Sequence, residues 1–98
     1  MLTTEIGAGG TVVIAGRLDA AQSPTAQAFL DGVSGMVTLD CSRLEYISSA
    51  GLGVLLKTQK RLMASGGKLH LVAVSPRLHD IFVYSGFDHI FEIERGAE

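Results

Sequence analysis

The chain contains no tryptophan, only two prolines and a single cysteine. One cysteine excludes an intramolecular disulfide, which fits a reducing cytoplasm. Charged residues make up 18% of the sequence, too few for a disordered chain, and the net charge of −2 argues against nucleic acid as the main partner. No apolar run approaches the roughly 20 residues of a membrane-spanning helix, and residues 1–10 lack the pattern of a secretory signal. We therefore expect a soluble, cytoplasmic protein.

The composition nevertheless supports a hydrophobic core. Hydrophobic residues make up 47% of the chain, so a core can form without disulfides or metal ions. A chain of 98 residues fits one domain, which we expect to span residues 1–98. Cys41 follows an apolar segment, and free cysteines are usually buried, so we expect its thiol to lie in or near the core.

The first third of the chain predicts a hairpin and a helix. Residues 2–6 and 11–15 predict two strands on either side of a glycine-rich turn. The turn matches neither GxGxxG nor GxxxxGK[ST], so its glycines indicate turn chemistry rather than a phosphate loop. Ser23 and Pro24 predict a helix start, with Ser23 as the capping residue and Pro24 in the first turn.

The middle of the chain contains the clearest helix. Residues 36–39 predict a short strand, and residues 40–47 its exit loop. Residues 49–65 predict an amphipathic helix. Its inner face is mostly apolar and comprises Leu52, Leu55, Leu56, Gln59, Leu62 and Met63. Its outer face carries Lys57, Lys60 and Arg61, which form either a solvated surface or a surface for an acidic partner.

Two strands and one helix complete the predicted fold. Residues 69–74 form a nearly continuous apolar run, which is typical of a strand buried on both faces. Ser75 and Pro76 repeat the helix-start signal, and residues 90–93 predict a last strand. The order β-β-α-β-α-β-α-β favours an α/β fold with a mixed sheet of four to five strands and helices mainly on one face.

The sequence offers little catalytic or metal-binding chemistry. Cys41 has no evident base partner, and His70, His79 and His89 lack the spacing of a ligand motif. Ser49 lies in Ile-Ser-Ser-Ala-Gly, which does not match the GxSxG of serine hydrolases. We therefore predict no enzymatic activity, no metal and no cofactor.

Two places allow both a structural and a functional interpretation. Ser48 and Ser49 stand at a predicted helix start, where free N–H groups and the helix dipole suit either a capping hydroxyl or a phosphate. Asp19 follows the second strand, where it serves either as a turn residue or as part of a site at the carboxyl edge of the sheet.

Three segments together resemble the STAS domain, and more narrowly the bacterial anti-sigma factor antagonists. Residues 39–56 carry the main signature, which ends in Ser-Ser-Ala-Gly-Leu-Gly-Val-Leu-Leu. Residues 16–19, Gly-Arg-Leu-Asp, match the family's Gly-x-Leu-Asp, and residues 74–87 match its later strand, helix and Ser-Gly turn. The resemblance covers nearly the whole chain in order and implies a STAS-type fold.

The resemblance implies a switch in transcription regulation. Members of this family bind, when unphosphorylated, an anti-sigma factor that is also a serine kinase of the histidine-kinase-like ATPase fold, and so free the sigma factor. Serine phosphorylation ends that binding, and a metal-dependent serine phosphatase reverses it. The protein would then be a substrate, without direct nucleic-acid binding or membrane insertion, and a monomer or weak dimer.

Matching the family's motif to this chain assigns the site residues. The phosphoacceptor falls on Ser49, with Ser48 as the alternative. The resemblance places Asp19, Ser48, Ser49, Gly51, Leu52 and Gly53 at the partner-binding surface. Ser48 replaces the aspartate that usually precedes the acceptor, so kinase recognition is expected to differ. Ala50 replaces the serine or threonine that often follows it, which removes a second candidate acceptor.

Two other functions remain open at this stage. Small STAS proteins also serve as subunits of lipid-transport ATPase complexes, where the helix face would contact an ATPase and no phosphoserine is needed. The other possible function is that of a scaffold module in a stress-signalling assembly.

Family members often continue into a final helix after the last strand. Because this chain stops at Glu98, we expect that helix to be absent or short.

Overall fold

The computed structural model of the protein describes residues 2–96. Within that range the strands are β1 (Leu2–Ile6), β2 (Val12–Leu18), β3 (Met36–Ile47), β4 (Lys68–Val74) and β5 (Glu92–Arg95). The α-helices are α1 (Ser23–Leu30), α2 (Ser49–Ala64) and α3 (Pro76–Tyr84), and short 3-10 turns cover Ala8–Gly10 and Phe87–His89. The predicted order of strands and helices is confirmed. None of the helices in the described range is long and apolar enough to cross a membrane.

The five strands form one mixed sheet in the order β1-β2-β3-β4-β5. β1 pairs with β2 in the antiparallel sense, as the predicted hairpin requires, and the other three pairings are parallel. The carboxyl ends of β2, β3 and β4 therefore meet at one edge of the sheet, which we call the carboxyl edge. The links into α1, α2 and α3 all leave from it.

The helices cover one face of the sheet, as the element pattern predicted. Residues that point to this face are fully buried, including Val12, Ile14, Leu39, Leu69 and Leu71. Their neighbours along each strand point to the opposite face and are only partly buried. The prediction that residues 69–74 are buried on both faces is therefore wrong. On the open face of β4, Val72 and Ala73 are only partly buried.

The third strand is much longer than predicted. Residues 40–47, which the sequence assigned to an exit loop, continue β3 to a length of 12 residues. The pairing with β2 shifts register twice, between Val13 and Ala15 and between Gly16 and Arg17. Such irregularities break the alternation of buried and exposed residues from which a strand is recognised in a sequence. The broken alternation made this part of the strand resemble a loop.

Smaller differences concern element ends and one helix face. The last strand begins at Glu92 rather than residue 90, because the chain first forms the 3-10 turn at Phe87–His89. Met63 was placed on the inner face of α2, but 59% of it is exposed. It directly follows the buried Leu62 and lies beyond the edge of the apolar stripe.

Two polar side chains of α2 join separate parts of the fold. Gln59 is buried; its Oε1 accepts from the Leu69 backbone N–H at 2.7 Å, and its Nε2 donates to the Ile90 carbonyl at 2.9 Å. Gln59 thus ties α2 to β4 and to the segment before β5, which explains its position on the mostly apolar inner face.

Arg61 has a structural role that the sequence did not indicate. Its guanidinium donates to the carbonyl oxygens of Leu30 at 2.8 Å and Val33 at 2.7 Å, at the carboxyl end of α1. The charge also suits the negative end of that helix dipole. Of the three basic residues assigned to the outer face of α2, only Lys57 and Lys60 are exposed.

Removing the Gln59 carboxamide is expected to destabilise the fold. Gln59→Ala leaves the Leu69 N–H and the Ile90 carbonyl without their partner, which costs about 2 kcal/mol of unfolding free energy. Urea unfolding followed by circular dichroism measures the loss. Lys60→Ala, at the next and exposed position, is the control and should change stability by less than about 0.5 kcal/mol. Equal midpoints for the two variants would contradict the role given to Gln59.

The thiol of Cys41 is expected to be unreactive in the folded protein. Burial, and secondarily the carboxylate of Asp40, raises its pKa from near 9.0 to about 12. Because the folded state disfavours the thiolate, the protonated thiol contributes to the free energy of unfolding. This contribution is complete below pH 9 and is lost as the pH rises toward 12. Alkylation at pH 8.5 should be slow in buffer and fast in denaturing urea. In Cys41→Ala/Ser42→Cys the thiol is exposed and should react quickly in both conditions.

Candidate functional site

The start of α2 is held against the end of β2 by Ser48. The Ser48 backbone N–H donates to the Leu18 carbonyl at 3.0 Å, and the Ser48 hydroxyl lies 3.3 Å from the same oxygen. The hydroxyl oxygen also accepts from the Gly51 N–H at 3.2 Å. Ser48 has extended backbone angles and is the N-cap of α2, so the predicted capping role is confirmed.

Gly51 allows this close approach of helix and strand. A Cβ atom at Gly51 would lie 2.6 Å from the Leu18 carbonyl oxygen, 2.7 Å from Leu18 Cγ and 2.9 Å from Ile47 Cγ1. Two of these neighbours are buried side chains and one is backbone, so none can move away cheaply. Gly51 is itself buried and contributes packing rather than surface.

Ser49 differs from Ser48 in exposure and in its contacts. It is the first residue of α2 and is exposed. Its hydroxyl has no hydrogen bond to any residue in the range 2–96, whereas the Ser48 hydroxyl both donates and accepts. The first turn of α2 contains no acidic residue, so the free N–H groups and the positive end of the dipole are not neutralised there. The local field at Ser49 favours a negative group.

Asp19 lies beside this junction and shapes the start of α1. Its Oδ1 accepts from the Gln22 N–H at 3.0 Å, and its carbonyl accepts from the Ser23 hydroxyl at 2.8 Å. The turn-residue interpretation of Asp19 is therefore confirmed. The predicted capping role of Ser23 is wrong, because its hydroxyl points back to Asp19. The N-cap position of α1 is occupied by Gln22, whose side chain makes no capping hydrogen bond.

A groove of about 430 Å³ runs between α1 and α2 next to Ser49. One wall is formed by Ala20, Ser23, Pro24 and Gln27, and the other by Ala50, Gly53, Val54 and Lys57. Small side chains line much of it, and no carboxylate of residues 2–96 does. The groove begins at Ala50, the residue after Ser49, so it shares a surface with the exposed serine.

The structure brings most of the predicted site residues to the carboxyl edge. Ser48, Ser49 and Asp19 lie around the end of β2, while Leu52 is partly buried against the core and Gly53 faces the groove. The contribution of α1 to this surface was not predicted from the sequence. For the α2 wall of the groove the sequence does hold a signal, since Ala50, Gly53 and Lys57 recur at helical spacing. No sequence pattern indicates that this helix face lies opposite Gln27.

Comparison with known proteins identifies the family. A family model described as "Mlab, STAS domain" matches residues 1–93. The chain belongs to the STAS domain family. The five-stranded mixed sheet with three helices agrees with this assignment.

Several of the proteins similar to this chain are named anti-sigma factor antagonists. A candidate antagonist named BtrV from Bordetella bronchiseptica is 44% identical over 62 residues, 63% of this chain and 53% of that protein. The anti-sigma-B factor antagonist of Listeria monocytogenes is 31% identical over 87 residues, 85% of this chain and 76% of that protein. The chain thus spans about half of the first relative and three quarters of the second.

A solved structure extends the comparison. The phosphorylated form of SpoIIAA, a Bacillus cell fate determinant, superimposes with a TM-score of 0.71 at 25% identity, over 100% of this chain and 93% of that one. This STAS protein therefore shares its fold with an antagonist that exists in a phosphorylated form.

Alanine at two neighbouring glycines of α2 is expected to have opposite effects. Gly51→Ala forces a methyl group into Leu18 and should lower stability by about 2 kcal/mol. In Gly53→Ala the new methyl group meets no atom of residues 2–96 within 4 Å apart from its chain neighbours and the backbone of its own helix, so it should raise stability by up to about 1 kcal/mol through helix propensity. Thermal unfolding measures both, and a Gly51→Ala variant as stable as Gly53→Ala would refute the close approach to Leu18.

Proposed function

We propose that this STAS protein is an anti-sigma factor antagonist switched off by phosphorylation of Ser49. When unphosphorylated it binds an anti-sigma factor that is also a serine kinase, and so frees a sigma factor. A metal-dependent serine phosphatase restores the binding form. The chain is a substrate of these enzymes rather than an enzyme, and it acts in the cytoplasm. The observation that carries the proposal is the hydroxyl of Ser49, which is exposed at the first position of α2 and has no hydrogen bond to residues 2–96.

The two adjacent serines are not equivalent candidates for the phosphate. The Ser48 hydroxyl is engaged with the Leu18 carbonyl and the Gly51 N–H, so its modification would break the cap of α2. The Ser49 hydroxyl can be modified without loss of any hydrogen bond to the described residues. This contrast supports Ser49, although Ser48 replaces the aspartate that usually precedes the acceptor in the family.

The fold should tolerate the phosphate while the interface does not. A phosphoserine adds roughly −1.5 to −2 charge and three acceptor oxygens. At Ser49 this charge lies at the positive end of the α2 dipole, so we expect little change in the backbone. In a complex, the same charge must be desolvated against partner groups arranged for a neutral hydroxyl. A cost of about 1.4 kcal/mol already weakens binding tenfold.

Phosphate mapping tests the assignment. The protein is incubated with ATP and candidate anti-sigma factor kinases of its source organism, and the phosphate is located by mass spectrometry. We expect phosphate on Ser49 in the unmodified protein and in Ser48→Asn, and none in Ser49→Ala. Asparagine is the matched control at position 48 because it removes the hydroxyl but remains a good N-cap residue.

Binding measured with the same kinases tests the switch. Ser49→Asp should bind at least tenfold more weakly than the unmodified protein, with a nearly unchanged thermal midpoint. A collapse of the thermal transition would instead assign Ser49 a structural role. Absence of phosphate on Ser49 with every kinase would reject the phospho-switch and favour the lipid-transport or scaffold function.

A further inference from the structure

The two outer strands of the sheet, β1 and β5, differ in their protection against pairing with another strand. An outer strand presents unpaired N–H and C=O groups, which natural proteins usually protect with charged residues, proline or irregular pairing. β5 is protected in this way, because Glu92, Glu94 and Arg95 are charged and its pairing with β4 shifts register. β1 has no proline and no register shift, and Glu5 is its one charged residue. We call the side of β1 that faces away from β2 the β1 edge.

The hairpin determines which backbone groups of β1 lie at this edge. β1 pairs with β2 without a register shift, and just beyond the strand the Gly7 N–H donates to the Thr11 carbonyl at 2.6 Å. Opposite residues of an antiparallel pair alternate between those that exchange hydrogen bonds and those that do not. Counting back from Gly7, the residues that turn their N–H and C=O groups outward are Leu2, Thr4 and Ile6. Within residues 2–96 no other strand pairs with these groups.

The outward groups of β1 fit a second copy of the same strand. When two β1 strands pair in the antiparallel sense, outward residues must meet outward residues. The register with the greatest overlap then places Thr4 opposite its own copy, and Leu2 opposite Ile6 of the other strand. Each of these pairs exchanges both N–H···O bonds, so every outward group of the strand finds a partner. The arrangement has the two-fold symmetry of an isologous dimer.

The side chains are also complementary in this register. Ile6 is 59% exposed and would pack against Leu2 of the other copy, a residue that already contacts the core. Two threonines directly opposite each other form a favourable cross-strand pair. On the other face of the sheet, Glu5 comes to lie opposite Thr3, so like charges do not meet directly. The strand is therefore complementary to itself in hydrogen bonds, apolar contact and charge.

We propose that the β1 edge is a dimer interface, at which two copies of this chain join their sheets through antiparallel β1–β1 pairing centred on Thr4. The two five-stranded sheets then form one continuous sheet, with the helices of both copies on the same face. The strand is short, so the dimer should be weak, as interfaces that bury less than about 1,200 Å² usually are. Asp19, Ser48 and Ser49 lie outside β1, so this interface and the proposed phospho-switch can be tested separately.

Disulfide trapping tests the register directly. In Thr4→Cys/Cys41→Ala the two new thiols lie opposite each other, with Cα atoms about 5.5 Å apart, which a disulfide can bridge. Mild oxidation at high protein concentration should therefore give a covalent dimer on a non-reducing gel. In the matched control, Thr3→Cys/Cys41→Ala, the thiols are offset by two residues along the strands and should stay mostly unlinked. Equal cross-linking of the two variants, or none in either, would overturn the register.

Charge substitutions test the same register without a cross-link. Sedimentation velocity of the unmodified protein should show a dimer whose fraction rises with concentration. Thr4→Lys brings two like charges directly opposite each other and should raise the dissociation constant about fivefold or more. Thr3→Lys places each new charge opposite Glu5 of the other copy and should leave the constant unchanged or lower it. An equal effect of the two substitutions would contradict pairing centred on Thr4.

Hydrogen exchange in the unmodified protein makes the test independent of variant stability. The backbone amides of Thr4 and Ile6 should gain protection as the protein concentration rises. Those of Thr3 and Glu5, already bonded within the hairpin, should not change. A protein that stays monomeric up to about 1 mM, or a dimer in which the Thr4 and Ile6 amides stay unprotected, would overturn the β1 interface and leave the Ser49 switch intact. Failure to bind or accept phosphate from any anti-sigma factor kinase would instead reject the proposed function.

Discussion

The contact between Leu18 and Gly51 is the constraint on which the site depends. The carboxyl end of β2 and the first turn of α2 approach so closely that no side chain fits at position 51. Ser48 completes the junction, because its backbone and hydroxyl both lie against the Leu18 carbonyl while the hydroxyl caps the helix. The two residues between the cap and the glycine, Ser49 and Ala50, are both exposed, and Ser49 is the one that carries a hydroxyl.

This arrangement separates two properties that a single serine could not combine. A capping hydroxyl must be hydrogen-bonded to the backbone, while a phosphoacceptor hydroxyl must be able to enter the active site of a kinase. Ser48 has the first property and Ser49 the second. The same packing opens the groove beside Ser49, because α1 and α2 meet through small residues near their starts. Farther along, Arg61 bonds the carbonyl oxygens at the end of α1 and so fixes the spacing of the two helices.

Much of the fold could be predicted from local patterns. The alternation of apolar runs with Ser-Pro and glycine signals predicted every strand and helix in the correct order, because these signals act within a few residues. The errors arose where distant contacts override local pattern. The second half of β3 was missed because its irregular pairing with β2 removes the alternation. The roles of Gln59 and Arg61 were missed because each bonds a backbone group about 30 residues away.

The sequence by itself determined the family, the position of the serine pair and the capping residue, since these follow from a contiguous motif at a helix start. Only the tertiary structure decided which serine hydroxyl has no hydrogen bond to residues 2–96, why Gly51 must be glycine while Gly53 need not be, and that Gln27 and Gly53 line one groove. The physical reason is that these properties depend on what a residue touches. Leu18 and Ser48 are 30 positions apart in the chain, and the contact between them exists only after the sheet has formed.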